Sequence, residues 1–215
     1  MALSDIKEVI DMRITKQLLL STFITSLFAS RVSAEVLYYE ISSDASYIKY
    51  TAHATTHDME GKVSEFWGWL KVDTDTRTVQ GKIEAKAKSM TTGNSMRDNN
   101  TYKLLEVDKY PLISFEITGV HSEDLEGIAS LDEAVGKKVS AHVMGNFTLH
   151  GTTKSITIPA EVEITSSALK GSASFKVLLT DYGMKPPEFA MFKAENDVDV
   201  NTRIVFRQKK EERTQ

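Results

Sequence analysis

From Val36 onward, apolar and polar residues alternate in run after run. Val79, Gly81, Ile83, Ala85 and Ala87 interleave with Lys82, Glu84, Lys86 and Lys88, and the same period of two returns over 139–149, 156–164, 169–179 and 198–206. A period of two puts successive side chains on opposite faces of a strand, one face toward a core and the other toward water. The pattern predicts eight strands, near 46–54, 63–73, 79–88, 112–120, 138–150, 154–165, 168–180 and 197–207. Asp73-Thr74-Asp75-Thr76 and His150-Gly151-Thr152-Thr153 have the composition of turns between them. Two segments break the alternation. Asn99–Val107 reads as a short helix, stopped at Tyr110-Pro111 because proline disfavours helical backbone in the residue before it. Met184–Lys193 holds Pro186-Pro187 and then a helical turn over Glu188–Phe192. Both segments are expected to sit over the mouth of the fold.

Eight long strands leave exposed edges unless the sheet closes on itself. The expected class is therefore all-β, an extended eight-stranded antiparallel β-barrel with one or two short helices. A two-sheet sandwich fits the same spacing. A membrane-spanning barrel would turn its apolar face to lipid and its polar face to the lumen. Here Lys82, Glu84, Lys86, Lys88, Glu161 and Glu163 share the polar face, so the apolar face is the inner one. That inner set mixes bulky Phe66, Phe115, Phe147 and Phe175 with small Ala52, Ala85, Ala141, Ala160, Gly171 and Ala173. The pattern alone favours a filled core, in which small and large side chains alternate to suit a taper. It leaves open an elongated apolar cavity holding one ligand.

Composition narrows the function. The 215 residues, 41% hydrophobic with a formal net charge of −4 and a pI near 5.8, suit one globular domain and lack the basic stripe of a nucleic-acid binder. Cysteine is absent, which excludes disulfides, thiolate metal sites and a cysteine nucleophile. Basic Met12-Arg13-Ile14-Thr15-Lys16, apolar 18–29 and small Val32-Ser33-Ala34 follow the order of a secretory signal peptide, with cleavage expected after Ala34 and Met12 as the expected true start. The apolar stretch is too short and too rich in Ser and Thr for a membrane span. The expected organisation is thus an extension plus signal peptide over 1–34 and a barrel domain over 35–215, in the periplasm or secreted.

Catalytic and metal chemistry find little support. His53, His142 and His150 fall on the polar face, and Thr56-His57-Asp58 has no nucleophile elbow beside it. No catalytic, metal or cofactor site is expected. Trp67 and Trp69 flank Gly68 opposite Phe66 and Leu70. They read either as an exposed pair for a partner or, with a local bulge, as one inward residue. An interaction barrel with a filled core and an outer patch around these tryptophans is the alternative to a ligand carrier.

Four stretches then take the reading further. They are Thr56-His57-Asp58-Met59-Glu60-Gly61 leading to Phe66-Trp67-Gly68; Ser95-Met96-Arg97-Asp98 with Lys109-Tyr110-Pro111-Leu112-Ile113-Ser114-Phe115; Gly145–Lys154; and Phe175-Lys176-Val177 leading to Asp181-Tyr182-Gly183. In this order the chain resembles the YceI-like family, also called polyisoprenoid-binding or lipid-binding periplasmic proteins, over about Tyr47 to Phe206. The resemblance implies a lipocalin-like barrel with a long-chain isoprenoid or related apolar lipid inside, and thereby tips the interior toward a cavity. Tyr50, Phe66, Ile83, Phe115, Ile117, Phe147, Phe175 and Val177 are the expected lining. Arg97, Asp98, Phe189 and Phe192 are expected at the entrance, where Arg97-Asp98 matches the family's Arg-Asp pair and is expected to fix the loop. Thr180 departs from the family's basic residue before Asp-Tyr-Gly, and a homodimer shielding protruding cargo is a further expectation.

Overall fold

The structure, a computed structural model, describes residues 35–128, 130–189 and 192–209, leaving aside the side chains of Phe189 and Phe192. The expectations about a signal peptide and a start at Met12 lie outside the described residues. The strands are β1 (Val36–Ile41), β2 (Tyr47–Ala54), β3 (Met59–Val63), β4 (Phe66–Asp73), β5 (Thr78–Lys86), β6 (Met90–Thr91), β7 (Leu112–His121), β8 (Lys138–Leu149), β9 (Thr152–Ile164), β10 (Ala168–Leu178), β11 (Glu188–Phe189) and β12 (Phe192–Gln208). The helices are α1 (Ser95–Leu104) and α2 (Leu131–Ala134).

Pairing is antiparallel throughout and runs β1–β4–β5–β7–β8–β9–β10–β12. β12 then returns to β1 through Tyr39–Gln208 and Ile41–Phe206, which closes an eight-stranded ring. β2, β3 and β6 are continuations of ring strands beyond local breaks: β2 prolongs β1 along β12, β3 prolongs β4 along β2, and β6 prolongs β5 along β3. Most of the expected strands are recognisable in this ring, apart from β1, whose residues precede the first expected strand.

The three breaks lie side by side, and serines bridge the ladder there. At the first, the Ser42 N–H donates to the Val205 carbonyl at 2.8 Å, and the Ser46 hydroxyl accepts from the Val205 N–H at 2.9 Å. At the other two, the Ser64 N–H donates to the Ser89 carbonyl at 3.2 Å and the Lys86 N–H to the Glu65 carbonyl at 3.0 Å. Buried Ser89 accepts from the Glu65 N–H at 3.1 Å and donates to the Lys86 carbonyl at 2.7 Å. Each strand thus bends without leaving the polar backbone groups at the bend unpaired, which would be costly in the interior.

The tight turns follow the chemistry read from the sequence. The Asp73 carboxylate accepts from the Asp75 and Thr76 N–H groups, both at 3.0 Å. His150 and Gly151 both have positive φ, 50° and 73°, as a two-residue hairpin turn of the right twist requires.

Two local expectations need correction. The helix begins at Ser95, four residues before the expected Asn99, because Asn94 caps it by accepting from the Met96 and Arg97 N–H groups. The expected helical turn over 188–192 is instead a hairpin: Glu188 pairs with Lys193 and Phe189 with Phe192, and the Ala194 N–H donates to the Pro187 carbonyl. Pairing with the long β12 supersedes local propensity there.

The interior is solid at one end. Tyr39, Val63, Phe66, Leu70, Val72, Ala85, Ile117, Ile204 and Phe206 form one buried cluster where β1, β4 and the end of β12 meet. Beside it, Ala134 of α2 packs on Val139 and Ile164. Replacing Ser89 by Ala leaves the Glu65 N–H without its acceptor and is expected to cost about 1–3 kcal/mol. Urea unfolding checks this as a lowered midpoint with an unchanged slope.

Candidate functional site: an apolar cavity capped by a helix

Toward the other end the barrel is hollow. A cavity of about 900 Å³ runs from Ile204, Phe206 and Ile117 to α1, with walls that are almost wholly apolar. The wall is thin in side chains where the sequence places Ala52, Ala85, Ala160, Gly171 and Ala173 on the inner face. At Gly171 the space is open, since a Cβ there would meet nothing within 4 Å.

Of the eight residues expected to line it, Tyr50, Ile83, Phe115, Ile117, Phe147, Phe175 and Val177 lie on the wall. Phe66 does not. It shares their inward parity and pairs with Ala85 beside the strand break, but its ring packs into the buried cluster with Val63 and Leu70. Phe147 stands edge-on to Phe175 at 6.3 Å and to Tyr182 at 5.6 Å, which fixes the rings near the mouth. The mouth is bounded by His57, Asn100, Lys103, Pro187 and Glu195. Of Phe189 and Phe192 only the backbone pairing is described.

β5 leaves β7 after Lys86–Leu112, and α1 fills the interval between β6 and β7. Asp98, 8% exposed, ties the helix to β6. Its carboxylate accepts from the Thr91 hydroxyl at 2.7 Å, the Thr92 N–H at 2.7 Å and the Thr92 hydroxyl at 2.8 Å. Burial by itself would push the Asp98 carboxyl up, but these donors and the nearby Arg97 together hold it below its ordinary value. The Tyr102 hydroxyl adds a bond to the Met90 carbonyl at 2.9 Å.

With the helix so anchored, Arg97, Thr101 and Leu104, at i, i+4 and i+7, face the cavity. The Arg-Asp pair therefore divides: Asp98 fixes the loop as expected, whereas Arg97 is on the wall. Opposite, Tyr50 is 7% exposed and burial, followed by the Asp98 charge, pushes its phenol up to about 12.

A YceI-like domain matches residues 39–206. The chain belongs to the YceI-like family. No curated protein matches it in sequence. Among solved structures it is similar to Burkholderia cenocepacia BcnA, with a TM-score of 0.62 at 15% identity over 77% of this chain and 98% of that one. It is likewise similar to a polyisoprenoid binding domain from Saccharophagus degradans implicated in plant cell wall breakdown, with a TM-score of 0.61 at 14% identity over 81% and 100%. The Campylobacter jejuni YceI protein follows with a TM-score of 0.56 at 17% identity over 71% and 86%. At these identities the likeness is one of fold.

The family's motif residues have separate places in this barrel. Thr180, where the resemblance led to a basic residue being expected, is exposed and bonded to Asn196, whose side-chain oxygen accepts from the Thr180 N–H at 3.0 Å and whose amide donates to the Thr180 hydroxyl at 2.9 Å. Thr180 is not on the cavity wall, so its departure leaves the lining untouched. His150 serves the fold, packing edge-on to Tyr110 at 4.8 Å beside the Tyr182 carbonyl. Both tryptophans face outward, each 45% exposed, and the Trp67 indole N–H donates to Glu84 at 3.2 Å. Among the described residues no helix is long and apolar enough to cross a membrane.

Sequence reading missed the role of His53. Its Nδ1 lies 3.0 Å from Asp58, in the loop at the mouth, and its Nε2 lies 3.0 Å from Asp199 on β12. Both ring nitrogens donate only in the imidazolium form. Asp197 completes a group with His53 and Asp199 whose spacing would suit a cation, but Lys176 already pairs with both aspartates. Those internal pairs account for the cluster. The bond to Asp199, and then that to Asp58, raise the His53 pKa.

A raised folded value means that the latch is complete below the ordinary histidine value of about 6.5 and is lost as pH rises through the elevated one. The amides of 55–58, corrected for intrinsic rate, are therefore expected to exchange faster at about pH 8.5 than at about pH 6. His53→Gln should abolish that difference, and equal corrected rates in the wild type would reject the latch.

Proposed function

We propose that this protein binds one long apolar chain, of the polyisoprenoid or similar lipid class, inside the barrel, and serves to carry, store or sequester it outside the cytoplasm. The observation that carries the reading is the cavity of about 900 Å³ with apolar walls. Pockets that enclose most of a ligand span about 300–1,000 Å³, so this one is at the large end. Void is costly in a protein interior, about 24 cal/mol per Å³ of residual cavity. Leaving even a tenth of this volume empty would therefore cost about 2 kcal/mol. A hydrocarbon chain removes that cost and contributes about 0.8 kcal/mol for each methylene buried.

Membership of the YceI-like family supports the reading, as does the fold shared with a domain described as polyisoprenoid binding. Export rests on the basic, apolar and small-residue order over 12–34. Among the described residues the wall offers no arrangement of nucleophile and base, which supports binding rather than catalysis. The alternative, a filled barrel acting through Trp67 and Trp69, calls for an interior without such a hollow.

Native mass spectrometry of the protein made in bacteria tests the reading, and a lipid adduct that organic solvent extracts is expected. Gly171→Leu should abolish the adduct without unfolding the barrel, because the new side chain enters open space. Phe147→Asp should also abolish it, by placing an unpaired carboxylate against Phe175 and Tyr182. A bare polypeptide mass for the wild type, with nothing extractable, would overturn the proposal.

A further inference from the structure

Among the described residues, two buried polar groups on this apolar wall have no hydrogen-bond partner. The Tyr50 hydroxyl is buried and makes no hydrogen bond, although the residue is only 7% exposed. The Arg97 Nε is likewise buried and unpartnered, and among the described residues no carboxylate pairs with its guanidinium. Both residues line the cavity at its helix-capped end. They lie close enough for the Arg97 charge to act on the Tyr50 phenol, which the Asp98 carboxylate affects more strongly and in the opposite sense.

Neighbouring Asp98, Tyr102 and Thr101 already have partners. Asp98 accepts from Thr91 and Thr92, the Tyr102 hydroxyl donates to the Met90 carbonyl, and the Thr101 hydroxyl donates to the carbonyl of Arg97 itself. The placement of Tyr50 is also built into the neighbouring strand. Its ring lies over Gly61, where any Cβ would come within 2.2 Å of the ring carbon bearing the hydroxyl.

A buried donor left unpaired costs about 1–3 kcal/mol, so such groups in a native wall call for a partner. Arg97 can only donate, and Tyr50 stays protonated at neutral pH and donates too. What both lack is an acceptor. A fixed guanidinium charge favours an anionic acceptor over a neutral one, because charge-assisted bonds are about twice as strong. At the rim, Lys103 and Glu195 are both exposed and opposite in sign, whereas the Asp98 carboxylate opposes this preference and is offset by its own donors, Thr91 and Thr92.

We propose that Arg97 and Tyr50 form a head-group site for an oxyanion, a carboxylate or phosphate ester, at the end of the apolar chain held in the cavity. The inference rests on the apolar-chain reading and adds to it a charge and a direction. The head lies under α1 and the tail runs past Phe147 and Gly171 toward the plugged end.

Titration calorimetry on delipidated full-length protein tests this with three probes of one chain length: hexadecanoate, hexadecyl phosphate and hexadecanol. The wild type is expected to bind either anion at least tenfold more tightly than the alcohol. Arg97→Gln should cut anion affinity at least tenfold while leaving the alcohol within twofold, and Tyr50→Phe should cut it about threefold. Arg97→Lys, which keeps the charge but loses the planar fork, should recover part of the loss. Circular dichroism confirms that each variant is folded.

Equal affinity for anion and alcohol in the wild type would overturn the head-group site and leave the cavity reading standing. The same would follow if Arg97→Gln kept the preference for anions. Binding of no probe would overturn both. Inorganic phosphate and acetate serve as chainless controls, and millimolar or weaker binding is expected. Binding of either as tight as hexadecyl phosphate would replace the lipid head group with a free-anion site.

Discussion

A protein that keeps an apolar space open gives up the packing that usually holds a fold together. Its walls must therefore be secured by backbone bonds, and here the return of β12 onto β1 secures them. That closure joins the last strand of the ring to the first, and α1 fills the interval left between β6 and β7. The closure also puts the longest strand against β10 on one side and against β1 and β2 in turn on the other. Every other feature of the cavity depends on this ring remaining closed while its inner residues do little packing.

The remaining stability is arranged lengthwise. Phe66, Leu70, Phe206 and their neighbours form a buried cluster, and the hollow begins where Ala85, Ala160, Gly171 and Ala173 take over the inner positions. Filled core and cavity are thus not rival descriptions of this barrel; they occupy different levels of it. The serine-bridged breaks lie between those levels, where β1, β4 and β5 give way to β2, β3 and β6.

The ring was legible because period two needs no tertiary information: inward parity alone put Tyr50, Ile83, Phe115, Ile117, Phe147, Phe175 and Val177 on one surface. Parity tells which face a side chain takes and not whether it borders a void, which is why Phe66 was grouped with them although it packs in the buried cluster. The start of α1 was written in Asn94, a capping residue that the apolar pattern passes over. The roles of Arg97 and His53 could not be read locally at all. Each depends on partners, present or missing, that are brought in from strands far away in sequence. The family motif marked Arg97-Asp98 as a unit, and only the geometry shows one residue anchoring and the other facing inward.

The plug at the β1 end makes the barrel a cup rather than a pipe. A chain entering it would meet a floor of Ile117, Ile204 and Phe206 and would have to leave by the door it used. A chain longer than the cup is deep must leave its excess standing in the doorway, beside the helix and the histidine latch.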